Sequence, residues 1–271
     1  MSWQAVARKD FQDAVRSRWL LALTALFVLL VSALAYIVRP QQGQTFSSNE
    51  ILNLANGTLV TTLVPLIALV IAYNAIVGER ETGSLKLLLS LPHSRADVVL
   101  GKVLGRSGAI AAPIVVGFVV PALLLAIGPL QFDAGSYLGY TLLTAFLGSV
   151  FVAIAVGFSA ATASQRLAMA GAVGLYFLFV PLWGAVRFPL QMYFGLGGGP
   201  DWLPIEGSQV IEILTLLNPT GSFKIVSGAF LGGDLFTAGD VSTQAAAAAM
   251  LLGWLALPPL LGLWKFESDD L

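Results

Sequence analysis

The chain has 271 residues, of which 57% are hydrophobic and only 11% charged, with a mean hydropathy of +0.83 and a net charge of -1. This composition excludes a water-soluble domain of that size, and it leaves no basic surface able to neutralise a nucleic-acid backbone. The absence of cysteine excludes disulfides, thiolate metal ligands and redox motifs.

Six stretches, 20–38, 59–77, 109–128, 137–162, 167–186 and 245–264, contain no Asp, Glu, Lys, Arg or His. At about 1.5 Å rise per residue each can cross the roughly 30 Å hydrocarbon core as a helix, which satisfies its own backbone hydrogen bonds there. The fold class is therefore all-α integral membrane, with six transmembrane helices in one integral domain over residues 1–271. With the amino terminus in the cytosol, eleven of the fourteen basic residues fall on that side, leaving Arg39, Arg187 and Lys224 on the other. The positive-inside bias predicts a multi-pass protein of the cytoplasmic membrane with both termini cytoplasmic. The first apolar run is too long for a signal-peptide core and is followed by no small-residue cleavage site, so it is expected to be retained.

In chain order, residues 1–18 come first. Trp3, Val6, Ala7, Phe11, Ala14 and Val15 recur at helical spacing, with Lys9, Gln12, Asp13 and Arg16 opposite. This predicts an amphipathic helix in the membrane interface. The pair Asp10 and Asp13 is expected on its solvated face. After the second span, the connection 78–108 opens Gly-Glu-Arg-Glu-Thr-Gly-Ser. Leu85, Leu88 and Leu89 then form a stripe on a short helix that Pro92 stops, and Ser94 with Asp97 restarts a helix leading into the third span.

Pro113 and Pro121 predict a bend in the third span. In the fourth, Ala145, Ser149, Ala153, Gly157 and Ala161 make a small-residue ridge for close helix approach. The few residues around Ser164 and Gln165 force spans four and five into an antiparallel hairpin. The external connection 187–244 holds a glycine-rich turn at 197–200 and short helices over 208–217 and 220–231 separated by Asn218-Pro219.

Several chemistries are missing. The single histidine, His93, supports neither a catalytic relay nor a multi-histidine metal site. No ionisable group lies within the six stretches, which disfavours proton or sodium coupling. No phosphate-binding Gly-x-x-x-x-Gly-Lys-Ser/Thr loop is present: Gly101-Lys102 is followed by Val103. No metal site, catalytic residue or bound cofactor is expected of this chain. Were ATP the energy source, another chain would have to bind it.

The run from Tyr73 and Asn74 through Glu79-Arg80-Glu81-Thr82-Gly83, then Leu85, Leu88, Leu89, Pro92, Arg95 and Gly101-Lys102, resembles the permease subunits of the second class of ATP-binding-cassette exporters (ABC-2 type), and within them the NosY-like branch. The resemblance covers essentially the whole chain. It implies a cytosolic coupling helix over 82–91 that docks on separate ATPase subunits, which carry ATP and magnesium. Glu79, Arg80 and Glu81 would form a charged hinge joining that helix to span two. It further implies a homodimer, and a pathway along spans two and five with Thr61, Thr62, Tyr73, Asn74, Tyr176 and Trp183 as lining candidates, although helix packing or interfacial anchoring accounts for them equally well. Independently of the family, an apolar Leu85, Leu88, Leu89 stripe flanked by charge calls for a covering surface. Two other readings stay open: a membrane enzyme acting on lipid through Asp10 and Asp13, and a non-transporting scaffold whose external helices hold an extracytoplasmic partner.

Overall fold

A computed structural model describes residues 2–16, 18–37, 47–90, 94–126, 131–196 and 205–268. Pro92, His93, Arg39 and the turn at 197–200 lie outside them. Among the described residues the chain is helical between short connections, with one isolated bridge joining Ser47 and Gln131.

Helix α1 (Ser2–Val15) precedes α2 (Arg18–Ile37). The second span is composite: α3 (Ser48–Leu54), a π-helical turn (Ala55–Val60), α4 (Thr61–Ala72) and, past a break, α5 (Val77–Glu81). There follow α6 (Ser84–Ser90), α7 (Arg95–Ala126) and α8 (Ala134–Ala161). The fifth passage comprises α9 (Gln165–Phe177), a second π-turn (Leu178–Leu182) and α10 (Trp183–Gly195). Two short helices, α11 (Gly207–Leu217) and α12 (Pro219–Gly232), lead to α13 (Val241–Ser268). Five of these passages are long and apolar enough to cross a bilayer, and there are six if the bent pair α1 and α2 counts as one span.

Two expected boundaries move. Span two starts at Ser48 rather than at 59, because its polar residues find partners: Asn56 is 6% exposed against Ser227, and Ser48 Oγ accepts from the Asp133 N–H at 3.1 Å. Span five continues as helix to Gly195, so Arg187 sits within α10 rather than in a connection. Pro113 and Pro121 lie inside one uninterrupted α7. The Asn218-Pro219 break is where the sequence places it, with the Asn218 side chain capping α12 by accepting from Thr220 N–H at 2.8 Å.

Helix α8 is the axis of the bundle. Some 67% of its apolar window is buried, against 11% for the fifth passage and 17% for α13, whose remaining surface is left for lipid or another chain. Glycines set the distances at which its neighbours approach. A Cβ added at Gly157 would fall 2.3 Å from the Pro258 carbonyl oxygen, and one at Gly262 would fall 2.2 Å from that of Gly157. Backbones touch there, as small residues permit in membranes where dispersion rather than water drives association. The small-residue ridge thus meets α13 of the same chain. The expected hairpin of spans four and five is seen in the antiparallel contacts of Phe158 with Gly171 and of the Phe151 and Phe179 rings, whose centroids are 6.2 Å apart.

Helix α1 is packed on α7. Val6 and Trp3 cover Gly101, Ala7 and Asp10 cover Gly105, and Phe11 covers Gly108, so α1 runs alongside the start of α7. Further along, Phe27 of α2 fills the space over Gly117 and meets the Phe118 ring edge-on at 5.5 Å. Substituting Gly157→Ala is expected to cost about 1–3 kcal/mol by forcing α8 and α13 apart. Gly174→Ala, where nothing lies within 4 Å of the new atom, should leave the detergent-solubilised melting temperature nearly unchanged; thermal unfolding of both variants measures the difference.

Candidate functional site

Span two breaks at residues 73–76, between α4 and α5. A restarting helix leaves N–H groups without intrahelical acceptors. Ser159, fully buried on α8, supplies one: its Oγ accepts from the Ile76 and Val77 N–H groups, each at 3.1 Å. On the other side of the break Arg106 Nη1 donates to the Ile71 carbonyl at 2.5 Å.

The charged run that follows the break is tied, residue by residue, to different helices. Glu79 Oε1 accepts from Lys102 Nζ of α7 at 2.9 Å. Lys102 also reaches Asp10 Oδ1 of α1 at 3.3 Å, and Asp10 Oδ2 accepts from Arg106 Nε at 2.7 Å. Two carboxylates and two cations make a neutral cluster, with Lys102 and Asp10 only 2% and 6% exposed. Burial at that depth is tolerable only because each charge is paired. Arg80 Nη1 donates to the Thr162 carbonyl at the end of α8 at 3.3 Å, and its guanidinium stands 5.3 Å from the Phe266 ring of α13. Arg95 covers the same ring at 4.9 Å and donates to the Phe266 carbonyl. Glu81 Oε1 accepts from the Gln165 N–H at 2.7 Å, a carboxylate at the start of α9 where the helix dipole favours it.

Four helices therefore converge on a five-residue helix, with α1 joined through Lys102. Thr82 closes it by donating to the Gly78 carbonyl at 3.0 Å, and Gly83, at φ +74°, turns the chain into α6. A side chain at that position would be strained by the left-handed backbone alone. On α6, Leu85 is buried and Leu88 and Leu89 are half-buried, all three packed on the core. The stripe that the spacing offers to a partner is spent on the chain's own body. What α6 leaves outward is Lys86, Leu87 and Ser90, with Leu87 72% exposed.

The structure does not gather the pathway candidates into one surface. Thr61 is buried, its Oγ1 within 3.5 Å of the Asn56 and Gly57 carbonyls. Trp183 is half-buried and donates to the Leu214 carbonyl at 2.9 Å, an anchoring role. Thr62, Tyr73, Asn74 and Tyr176 are half-buried, Tyr73 and Asn74 at the break itself. Asp10 is not on a solvated face, as the sequence suggests, but held by Lys102 and Arg106, while Asp13 is exposed; the two do not form a joint carboxylate site.

Sequence analysis misses Ser159, Lys102, Arg106 and Phe266 as members of this site. A usable signal exists for the cations: Lys102 and Arg106 stand one turn apart on α7, beside Gly101 and Gly105, just before its charge-free stretch. Two cations entering a membrane on one helical face require carboxylates from elsewhere.

Asp10→Ala would take the carboxylate from Arg106 and leave Lys102 to Glu79 alone, an excess of one buried positive charge, and is expected to lower stability by about 3–5 kcal/mol. Adding Lys102→Met should recover part of that loss, a coupling visible in a double-mutant cycle of melting temperatures. Additive losses would mean that the two residues do not share a cluster.

Comparison with known proteins agrees with this architecture. Residues 4–271 match the family described as ABC-2 family transporter protein. The chain is 36% identical over 266 residues to the probable ABC transporter permease protein NosY of Pseudomonas aeruginosa, covering 93% of this chain and 90% of that protein. It is 34% identical over 272 residues to the protein of the same name from Stutzerimonas stutzeri, covering 94% of each. A chain whose break, charged elbow and bundle all lie within that match belongs to the ABC-2 family of transporter proteins, as a multi-pass, NosY-like permease.

Proposed function

We propose that this permease receives work from separate ATPase subunits at the elbow formed by α5 and α6 and passes it into the membrane bundle. The carrying observation is mechanical. Glu79, Arg80 and Glu81 connect the elbow to α7, α8, α9 and α13, while α6 keeps Lys86, Leu87 and Ser90 on its outer side. The basic end holding α1, the elbow and the end of α13 faces the cytosol, in keeping with eleven of fourteen basic residues. In this arrangement Leu85, Leu88 and Leu89 seat the coupling helix. Its docking face is Lys86, Leu87 and Ser90, flanked by exposed Glu81, Thr82 and Gly83. An exposed leucine ringed by polar groups fits the centre of a protein contact.

ATP and its magnesium belong to the partner subunits, and this chain carries out no bond-breaking step. A second copy completes the pathway, covering part of the largely exposed surface of the fifth passage. Thr62, Tyr73, Asn74 and Tyr176 are the pathway residues retained. Both named relatives are permeases, which supports export or force transmission coupled to ATP hydrolysis.

Leu87→Glu, in the chain co-expressed with its ATPase, is expected to weaken association about tenfold or more and to lower ATP turnover in proportion, without a change in the permease's own melting temperature. Unchanged co-purification and turnover would contradict docking at this face.

A further inference from the structure

The two π-turns lie in spans two and five, and both are bound by the same short helix. At its start, the α11–α12 corner is fixed to spans five and six by three donors to main-chain carbonyls. Asn218 Nδ2 reaches Phe179 in the second π-turn at 2.7 Å, Trp183 Nε1 reaches Leu214 at 2.9 Å, and Trp254 Nε1 of α13 reaches Leu217 at 3.0 Å. Along its length, α12 is bound to span two. Lys224 Nζ donates to the Gly57 carbonyl in the first π-turn at 2.8 Å, Ser227 Oγ meets the Asn56 side-chain amide at 3.1 Å, and Asn49 Nδ2 reaches the Leu231 carbonyl at 3.4 Å. Between these polar ties Phe223 and Val226 are turned inward and buried.

The two sets of ties are unequal. The corner has buried Asn218, which also caps α12, and two indoles. The span-two side has an exposed lysine whose partner is a neutral carbonyl, one buried bond between Ser227 and Asn56, and a long bond from Asn49. A π-turn interrupts the regular helix locally and recurs at functional sites.

We propose that α12 is a strap across the non-cytosolic ends of spans two and five, hinged at the Asn218 corner and latched to the first π-turn by Lys224, Ser227 and Asn49. Because α3, the π-turn, α4 and α5 form one passage, displacement of the elbow at the cytosolic end shifts the latch at the far end, and the strap lifts from span two while staying on spans five and six. The inference rests on the permease reading for the direction of the drive and on the predicted orientation for the words cytosolic and non-cytosolic.

The test uses the natural absence of cysteine. Val226→Cys, on the covered face of α12, reports lifting by its reaction rate with a membrane-impermeant maleimide, applied separately to each side of sealed vesicles holding the full chain. Ser227→Ala and, independently, Lys224→Met are each expected to raise the rate from the non-cytosolic side by about fivefold to tenfold, with Lys224→Arg restoring the slow rate. Slow, equal rates in both single variants would overturn the strap. Fast labelling in all chains, the parent included, would overturn it equally. Labelling solely from the cytosolic side would instead refute the orientation.

Discussion

The structure depends on how a broken helix is held. Span two interrupts its hydrogen bonds at residues 73–76, and Ser159 from the central helix accepts the two N–H groups that the restart exposes. An uncompensated break at that depth would cost the desolvation of each orphaned group, about 1–3 kcal/mol apiece. With Arg106 on the Ile71 carbonyl and the neutral cluster of Asp10, Lys102, Arg106 and Glu79 beside it, the break becomes a fixed joint. In the proposed coupling the charged run acts as a brace. Each charged residue of the run is anchored to a different helix, so a push on α6 has nowhere to dissipate before it reaches α7, α8, α9 and α13.

The bundle around that joint is asymmetric. α8 is buried almost throughout its inner half and makes backbone contact with α13 at Gly157 and Gly262. The fifth passage is exposed along most of its length. A buried axis with an exposed periphery leaves the outer helices free to meet lipid or another chain. Helix α12 is tied at its start to spans five and six and along its length to span two.

Much of the fold is legible in the sequence because bilayer solvation leaves a coarse signal. Charge-free runs mark the spans, Asn218-Pro219 marks the corner, and the short link near Ser164 forces the hairpin. Two of the misplaced features share a physical cause. Where a polar group finds a buried partner, it ceases to mark a boundary. Asn56 paired with Ser227 lets span two begin earlier. Asp10 reads as a solvent-facing residue because its two cations lie on a helix 92 and 96 positions away. The same limit explains the leucine stripe. Periodicity shows that Leu85, Leu88 and Leu89 share a face, but which surface covers that face is a tertiary fact. Ser159 carried no local signal, since its role exists only against the break in another span.

The central claim, that the elbow moves as one body with the adjoining ends of spans four and five, is open to a direct measurement. Spin labels at Ser90→Cys on α6 and Met169→Cys on α9, in the permease assembled with its ATPase, report the distance between the elbow and span five through the nucleotide cycle by pulsed electron resonance. The account expects that distance to stay constant within the width of its distribution while nucleotide is bound and hydrolysed. A nucleotide-dependent change of several ångströms would mean that the elbow bends at the charged run, and the brace would have to be given up.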